Sequence, residues 1–458
     1  MAKVMLVNPP SSTDVYKHGK LKGILPKVPL ISLASLAGAL EAKGHDVFIA
    51  DLAHIADDPI NDFKNWIYDF QPTHVGITFS TPLALESRML AVIAKGTKKD
   101  VFTMAGGVHP SVLPEEVLNY GCFDAVLIGE GEKAIIDIVK KNKKGIIGPY
   151  PKIENLDKLP KPAWHLFDLD KYTSPRITAR DYPVGAIETS RGCFGRCGYC
   201  YGSTMHGHAI RVKSTKRVIE DINDMLDAGF KELHVYDDSF TAKIDRACTI
   251  MQGINDAGID IPMRMDCGLR VDTVHNRPDF FSLLNKSSVY SVSYGYESGN
   301  QKILNRMRKG IKLEQSEMAT ILAKEYGLET IGFFILGYLD ETKDTINDTI
   351  EFAKHLDPLY AKFTIATPFP GTEMFDELKA GGFITTFDWS DYNFHGRKSV
   401  YNHPNPELTN DFLWSEYDRA HREFYFRGAK IIERVKYDLS RGLLYAFDDV
   451  RTALNTFL

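Results

Sequence analysis

Hydrophobic positions in residues 1–150 switch repeatedly between two periods. Short apolar runs predict strands at Lys3–Val7, Val47–Ala50, His74–Phe79, Val101–Ala105 and Ala125–Ile128. Between them, apolar residues recur at helical spacing over Pro29–Ala42, Pro59–Asp69, Leu83–Ala94, Leu113–Tyr120 and Ala134–Lys140. This alternation predicts a parallel, doubly wound α/β sheet. Ligands on that fold lie beyond the carboxyl ends of the strands. The unusual sequences collect there: Asn8-Pro9-Pro10, Ser80-Thr81-Pro82, Gly106-Gly107-Val108-His109-Pro110 and Gly129-Glu130-Gly131-Glu132. No G-x-G-x-x-G follows the first strand, which argues against a nicotinamide or flavin dinucleotide.

Residues 151–182 break the alternation. Pro149, Pro151, Pro160 and Pro162 punctuate them, so they are expected to connect two domains and to pack on both. The alternation resumes over residues 183–385. The strand Val184–Thr189 leads to helix Thr215–Ala228, then strand Glu232–Tyr236, helix Lys243–Ala257 and strand Met263–Asp266. Helix Asp279–Asn285, strand Val289–Tyr296, helix Glu314–Tyr326, strand Thr330–Leu336, helix Thr342–Leu356 and strand Ala361–Thr367 complete the series. Repeated β-α units of this kind predict an open, partial (β/α)6 barrel with its chemistry at the carboxyl ends of the strands. Residues 386–458 form a third, mainly helical region. Phe412, Tyr417, Phe424 and Ile431 or Ile432 predict one long helix over Asn410–Arg434.

The chain of 458 residues is long enough for several domains, and its 44% hydrophobic content supplies a core. The net charge of −5 and the lack of a long basic run argue against a nucleic-acid surface. The amino terminus enters a strand without a signal-peptide layout, and Val28–Leu40 is too short to span a bilayer. A cytoplasmic, reducing setting is expected, where cysteines serve metals more than disulfides.

The chemistry centres on Glu188-Thr-Ser-Arg-Gly-Cys193-Phe-Gly-Arg-Cys197-Gly-Tyr199-Cys200. Clustered thiolates bind iron or zinc, and structural zinc usually takes four ligands. No second C-x-x-C exists, and Cys122, Cys248 and Cys267 are scattered. Three thiolates suit a four-iron cluster with one iron left open; three buried structural thiols are the plainer alternative.

This C-x3-C-x-aromatic-C stretch resembles the radical S-adenosylmethionine superfamily, with Tyr199 as the aromatic. The resemblance implies a [4Fe–4S] cluster on Cys193, Cys197 and Cys200, with S-adenosylmethionine chelated at the open iron. It implies further contacts to that molecule. Asp237 and Asp238 would face the methionyl ammonium, Arg270 its carboxylate, and Glu297 the ribose or methionyl group. Ile331 and Pro370 would border adenine. The same positions read as turn formers if they carry no ligand.

The strand-end sequences of residues 1–150 resemble the cobalamin-binding domain that precedes many such domains, as in class B radical S-adenosylmethionine methylases. Pro9, Ser80, Thr81, Gly106, Gly107, His109, Gly129 and Glu130 are the implied contacts. The D-x-H-x-x-G motif is missing: Asp51-Leu-Ala-His54 has the wrong spacing. His109 is then a candidate ligand or contact, and a base-off, His-off cobalamin is expected. The resemblance implies methylation of an unactivated carbon through a 5′-deoxyadenosyl radical and methylcobalamin. Relatives that cyclise, oxidise or rearrange give a second enzymatic reading, and a cobalamin or metal sensor a non-enzymatic one. The acceptor class stays open among a tetrapyrrole, a lipid, a small molecule and a protein side chain. A ferredoxin or flavodoxin is implied as electron donor.

Overall fold

The computed structural model describes residues 1–10, 27–174, 178–393 and 397–442. Its first sheet is parallel throughout. The strands β1 (Lys3–Asn8), β2 (Asp46–Asp51), β3 (His74–Thr78), β4 (Phe102–Gly106), β5 (Ala125–Leu127) and β6 (Gly145–Ile147) lie in the order β2-β1-β3-β4-β5-β6. Strands covered by helices on both faces are apolar on both. Met5, Val7, Val75 and Ile77 pack toward helices Pro59–Phe70 and Ala84–Thr97. Val4, Leu6, Met104 and Leu127 pack toward helices Ile31–Glu41 and Gly131–Lys141. The pattern did not reveal β6, because three residues carry too little periodicity. The helix expected at Leu113–Tyr120 starts anew at Pro114, after a separate turn over Val108–Val112. Proline lacks the backbone donor that would continue that turn, and it suits a first helical position.

The connector does pack on both sides. The Ala163 amide donates to the Ala34 carbonyl at 2.9 Å, and Trp164 meets Phe230 edge-on at 5.2 Å. Arg217 donates to the carbonyls of Asp157 and Leu159 at 2.9 and 2.8 Å.

The second sheet opens with β7 (Val184–Ile187). A short antiparallel pair follows, β8 (Ser190–Arg191) with β9 (Arg211–Val212). Then come β10 (Glu232–Val235), β11 (Met263–Met265), β12 (Val289–Glu297), β13 (Glu329–Leu336) and β14 (Tyr360–Ile365). The order β14-β13-β12-β11-β10-β7 follows the chain without a crossing, and every pair is parallel. This is the open arc that the alternation predicts. Leu233, Val235, Met265, Val292, Tyr294, Phe334 and Phe363 join the helix-packed core. The pleat sends alternate residues to the other face, so His234 and Arg264, in register, turn into the arc, as do Phe333 and Lys362.

The long helix expected over Asn410–Arg434 is two helices, Asn410–Tyr425 and Gly428–Arg441. Arg427 is extended between them, and its guanidinium reaches Asp357 at 2.6 Å and the Lys354 carbonyl at 3.0 Å. Gly428 propagates a helix poorly, so the tertiary ion pair decides the break. Phe424 is buried against Phe363, whereas Ile431 and Ile432 are exposed, contrary to the expected core stripe. The first helix also covers the free edge of β14: the Tyr425 hydroxyl pairs with both the amide and the carbonyl of Ala361. Among the described residues no helix is long and apolar enough to cross a membrane.

Candidate functional site

The cysteine loop hangs from a stem built by two adjacent acids. Asp237 is fully buried and accepts from the Thr189 amide, the Thr189 hydroxyl and the Ser190 hydroxyl at 2.6, 2.6 and 2.5 Å. Burial pushes its pKa up. These bonds clamp the exit of β7, and they turn the carboxylate away from any ligand. Asp238 is its opposite in environment. It accepts from the Gly192 amide at 2.8 Å and pairs with His206 at 2.7 Å. Burial works against its charge, but these partners outweigh that and hold its pKa down. A side-chain carbon at Gly202 would lie 3.4 Å from the Cys200 sulfur and 4.0 Å from the Asp238 carboxylate. Asp238 therefore borders the cysteine loop, and Asp237 supports it from behind.

The three thiols are arranged around glycine backbone. A carbon added at Gly195 would lie 3.4 Å from the sulfur of Cys193 and 3.7 Å from that of Cys197. The Cys200 sulfur accepts from the Gly202 amide at 3.3 Å. Among the described residues no three His, Cys, Asp or Glu side chains converge on a point where one metal ion could sit.

Beside them stands a second charged set. Glu297 has a left-handed backbone, φ 64°, next to the bulge at the end of β12. Its carboxylate meets Lys309 at 2.7 Å, and Lys309 reaches the Tyr199 hydroxyl at 3.3 Å. Burial and then the Glu297 charge push the Tyr199 phenol well up. Arg270 donates to Asp272 and to the Lys309 carbonyl, and lies 4.7 Å from the Phe194 ring. Tyr199, Arg270 and Glu297 are therefore brought together at the cysteine loop. Ile331 is not. It is the third residue of β13, about 13 Å of strand below the Glu297 end. The choice of an apolar border residue there mistook the end of the strand. Pro370 is buried where the chain packs on the first domain: a side-chain carbon at neighbouring Gly371 would press on Val112 at 2.5 Å.

A cavity of about 310 Å³ lies between the first sheet and the barrel. Leu6, Gly76, Met104 and Leu127 form its floor, Ile31, Ser35 and Leu36 one wall, and Gly106, Gly107, Gly129 and Glu130 its rim. Gly107 has φ 101°, and a side chain there would strike the backbone of Phe79 at 2.8 Å. The far wall comes from the second domain: Glu188, Arg191, Met205, His206 and Tyr236.

Several expected contacts lie outside this cavity's lining. His109 is fully buried between Phe79 and Trp389, with Thr81 at 3.3 Å. Burial pushes its pKa down to about 4. It is a packed core histidine outside the cavity's lining, and Thr81 is buried with it. Pro9 is buried at the end of β1, and Ser80 precedes the turn that holds Thr81. Asp51 and His54, the misspaced pair, belong to a buried network in which Asp51 accepts from Asn8 and Tyr172, each at 2.7 Å. His206 is the histidine that lines the cavity, and sequence reasoning passed over it. Its place so soon after Cys200 was the available signal.

Glu130 does line the cavity, but its carboxylate is held by Arg211 and by the Ile153 amide at 3.1 Å. Arg191 donates to Glu132 at 2.6 Å and to Glu188 at 2.8 Å, with Glu130 at 3.7 Å. The Gly-Glu-Gly-Glu turn is thus an ionic latch on the stem of the cysteine loop. Arg191 and its partner Glu188 sit in the quoted cysteine stretch, yet nothing local indicates Glu132 and Glu130, some 60 positions away.

Comparison with known proteins agrees with this layout. The family model for the Radical SAM superfamily matches residues 187–353, and that for the B12 binding domain matches residues 23–139. A relative from Pyrococcus horikoshii, the uncharacterized methyltransferase PH0819, is 33% identical over 454 residues, covering 94% of each chain. The cobalamin-dependent S-adenosylmethionine radical enzyme OxsB, with aqua-cobalamin bound, superposes with a TM-score of 0.74 at 16% identity, over all of this chain and 72% of that one. The radical S-adenosylmethionine methyltransferase TsrM from Kitasatospora setae, with cobalamin and a [4Fe-4S] cluster, superposes with a TM-score of 0.67 at 18% identity, over 84% of this chain and 80% of that one. At these identities the two structures establish the shared fold.

Proposed function

Since the chain belongs to the radical S-adenosylmethionine superfamily, in the branch with an amino-terminal B12-binding domain, we propose that it is a cobalamin-dependent methyltransferase acting on an unactivated carbon. The observation that carries this reading is the joint cavity. One wall is the glycine-rimmed edge of the first sheet, and the other is formed by residues that flank the cysteine loop, Glu188, Arg191, Met205 and His206, together with Tyr236. Two reactive groups that must exchange a carbon fragment need such a shared space.

The residues fit the cofactors. Cys193, Cys197 and Cys200 hold the [4Fe–4S] cluster, and Asp238, Glu297 and Arg270 surround the place for S-adenosylmethionine. Gly106, Gly107 and Gly129 at the rim, with the cavity behind them, take cobalamin. When bound, the cluster with S-adenosylmethionine supplies one-electron cleavage of a carbon–sulfur bond, and cobalamin supplies methyl carriage. The protein positions these groups. Asp237 fixes the stem of the cysteine loop. Asp238 holds Gly192 and His206 together, so the loop and the cavity wall move as one unit. Lys309 neutralises Glu297 beside the thiols. Arg191 locks the two domains face to face and excludes water from their contact.

The test is an anaerobic reaction with reconstituted protein, methyl-labelled S-adenosylmethionine and candidate acceptor extracts, read by mass spectrometry. A product heavier by the labelled methyl group, formed together with 5′-deoxyadenosine, is expected. Cys197→Ala is expected to lose iron and both products. Deoxyadenosine with an unmethylated product would replace the reading by cyclisation or oxidation.

A further inference from the structure

Below the cysteine loop, the arc of β10 to β14 carries a polar inner wall that the cofactor assignments leave unused. The pleat turns His234, Arg264 and Lys362 inward, and Glu232 and Asp266 join them. Most of these charges are matched. Glu232 accepts from the amides of Arg180 and Asp181 at 2.6 and 2.9 Å and from the Tyr290 hydroxyl at 2.6 Å. His234 bridges Glu232 and Asp266 at 2.7 and 2.8 Å. Burial opposes its charged form, but the two carboxylates outweigh that and raise its pKa. Arg264 lies 2.8 Å from Asp266 and donates to the Thr178 carbonyl at 2.7 Å. Glu232 and Asp266 are both taken up by His234, Arg264 and their neighbours, and Lys362 is left without a carboxylate. Among the described residues no carboxylate lies within ion-pair distance of it. Its ammonium stands 5.4 Å from the Phe333 ring.

This wall faces an open hollow inside the arc. Tyr236 is 40% exposed, and Cys267 and Lys362 are also exposed. Yet burial pushes the Tyr236 phenol up, the Cys267 thiol up to about 12 and the Lys362 ammonium down. Residues that the pleat turns to the inner face of a curved sheet and that stay exposed mark an open concavity. Tyr236 also lines the inter-domain cavity and so stands on the border between the two spaces.

We infer that the hollow of the barrel receives the methyl acceptor and that Lys362 pairs there with an oxyanion, a carboxylate or a phosphate, carried by that acceptor. That the guest is a methyl acceptor rests on the methyltransferase reading; the anion site rests on the Lys362 ammonium alone. An ammonium with no carboxylate beside it, only the face of an aromatic ring, favours an anionic guest, because the guest offsets the cost of the unpaired charge.

Cys267 offers a reporter within electrostatic range of Lys362. The reconstituted holoenzyme is treated anaerobically with a negatively charged sulfonatoethyl methanethiosulfonate and, separately, with its trimethylammonium counterpart. Modification of Cys267 is followed by peptide mass spectrometry. Lys362→Met is expected to lower the ratio of anionic to cationic reaction rates about tenfold, and Lys362→Arg to keep it near the original. Inorganic phosphate or succinate should slow the reaction in the original protein and not in Lys362→Met. Protection by phosphate alone assigns a phosphate, and protection by succinate alone a carboxylate. An unchanged ratio in Lys362→Met, protection that survives in it, or a Cys267 inert to both reagents would each overturn the anion site. None of these measurements depends on methyl transfer, so the inference can fail while the methyltransferase reading stands.

Discussion

Replacing Arg191 by methionine keeps the volume of the side chain and removes its charge. In the folded protein Arg191 is 5% exposed and lies between Glu132 and Glu188 at 2.6 and 2.8 Å. At an effective dielectric constant of about 20, each contact corresponds to roughly 6 kcal/mol of gross attraction. Desolvation of each ion costs several kcal/mol, so the intact cluster contributes far less net. Truncation is different, because the carboxylates remain buried without their partner. Breaking such a cluster costs about 3 to 5 kcal/mol. Urea unfolding of the holoenzyme, followed by circular dichroism, should show that loss in Arg191→Met. Adding Glu132→Gln should give back part of it, since one stranded charge is then gone. The positive coupling energy between the two sites is the quantity of interest. Because the latch joins the domains, cobalamin retention on gel filtration should fall in parallel. A loss below about 1 kcal/mol, with additive single and double variants, would refute the latch and place Arg191 among ordinary surface ion pairs.

Asp237 and Asp238 should part company: Asp237→Ala should lower both stability and iron content, with about 3 kcal/mol lost from its stem hydrogen bonds. Asp238→Ala and Glu297→Ala should keep most of their iron and lose affinity for S-adenosylmethionine in equilibrium dialysis, and equal iron loss in all three would contradict the division. His109 carries an acid signature: its ordinary pKa of 6.5 falls to about 4 on folding, so the unfolded chain binds the extra proton between those values. Stability from its burial is present above about pH 6.5 and is lost as the pH falls toward 4, by about 3 kcal/mol in all; His109→Phe should flatten that part of the pH–stability curve. Paramagnetic resonance of bound cob(II)alamin should lack a nitrogen superhyperfine pattern; a pattern that disappears in His206→Ala would instead identify His206 as the cobalt ligand.

Two kinds of information were separable along this chain. The strands and helices of both sheets were legible because period-two and period-3.6 patterns are local, and burial on both faces of β1 or β12 leaves continuous apolar runs. The cysteine triplet was legible for the same reason: its ligands occupy one short loop, so spacing alone constrains them. What sequence could not decide was which polar residue faces which space. Asp237 and Asp238 are neighbours with opposite fates, because the chain at the end of β10 turns one carboxylate into the stem and the other toward the thiols. His109 follows two glycines at a strand end and looked like a contact, but Phe79 and Trp389 close over it from distant parts of the chain. His206, Arg191 and Lys362 carried no distinguishing pattern. Their roles depend on partners, or on the lack of one, fixed only when the two sheets meet. A local pattern records how much surface a segment buries; the geometry of charges is set by contacts between remote segments, and only the tertiary structure brings those together.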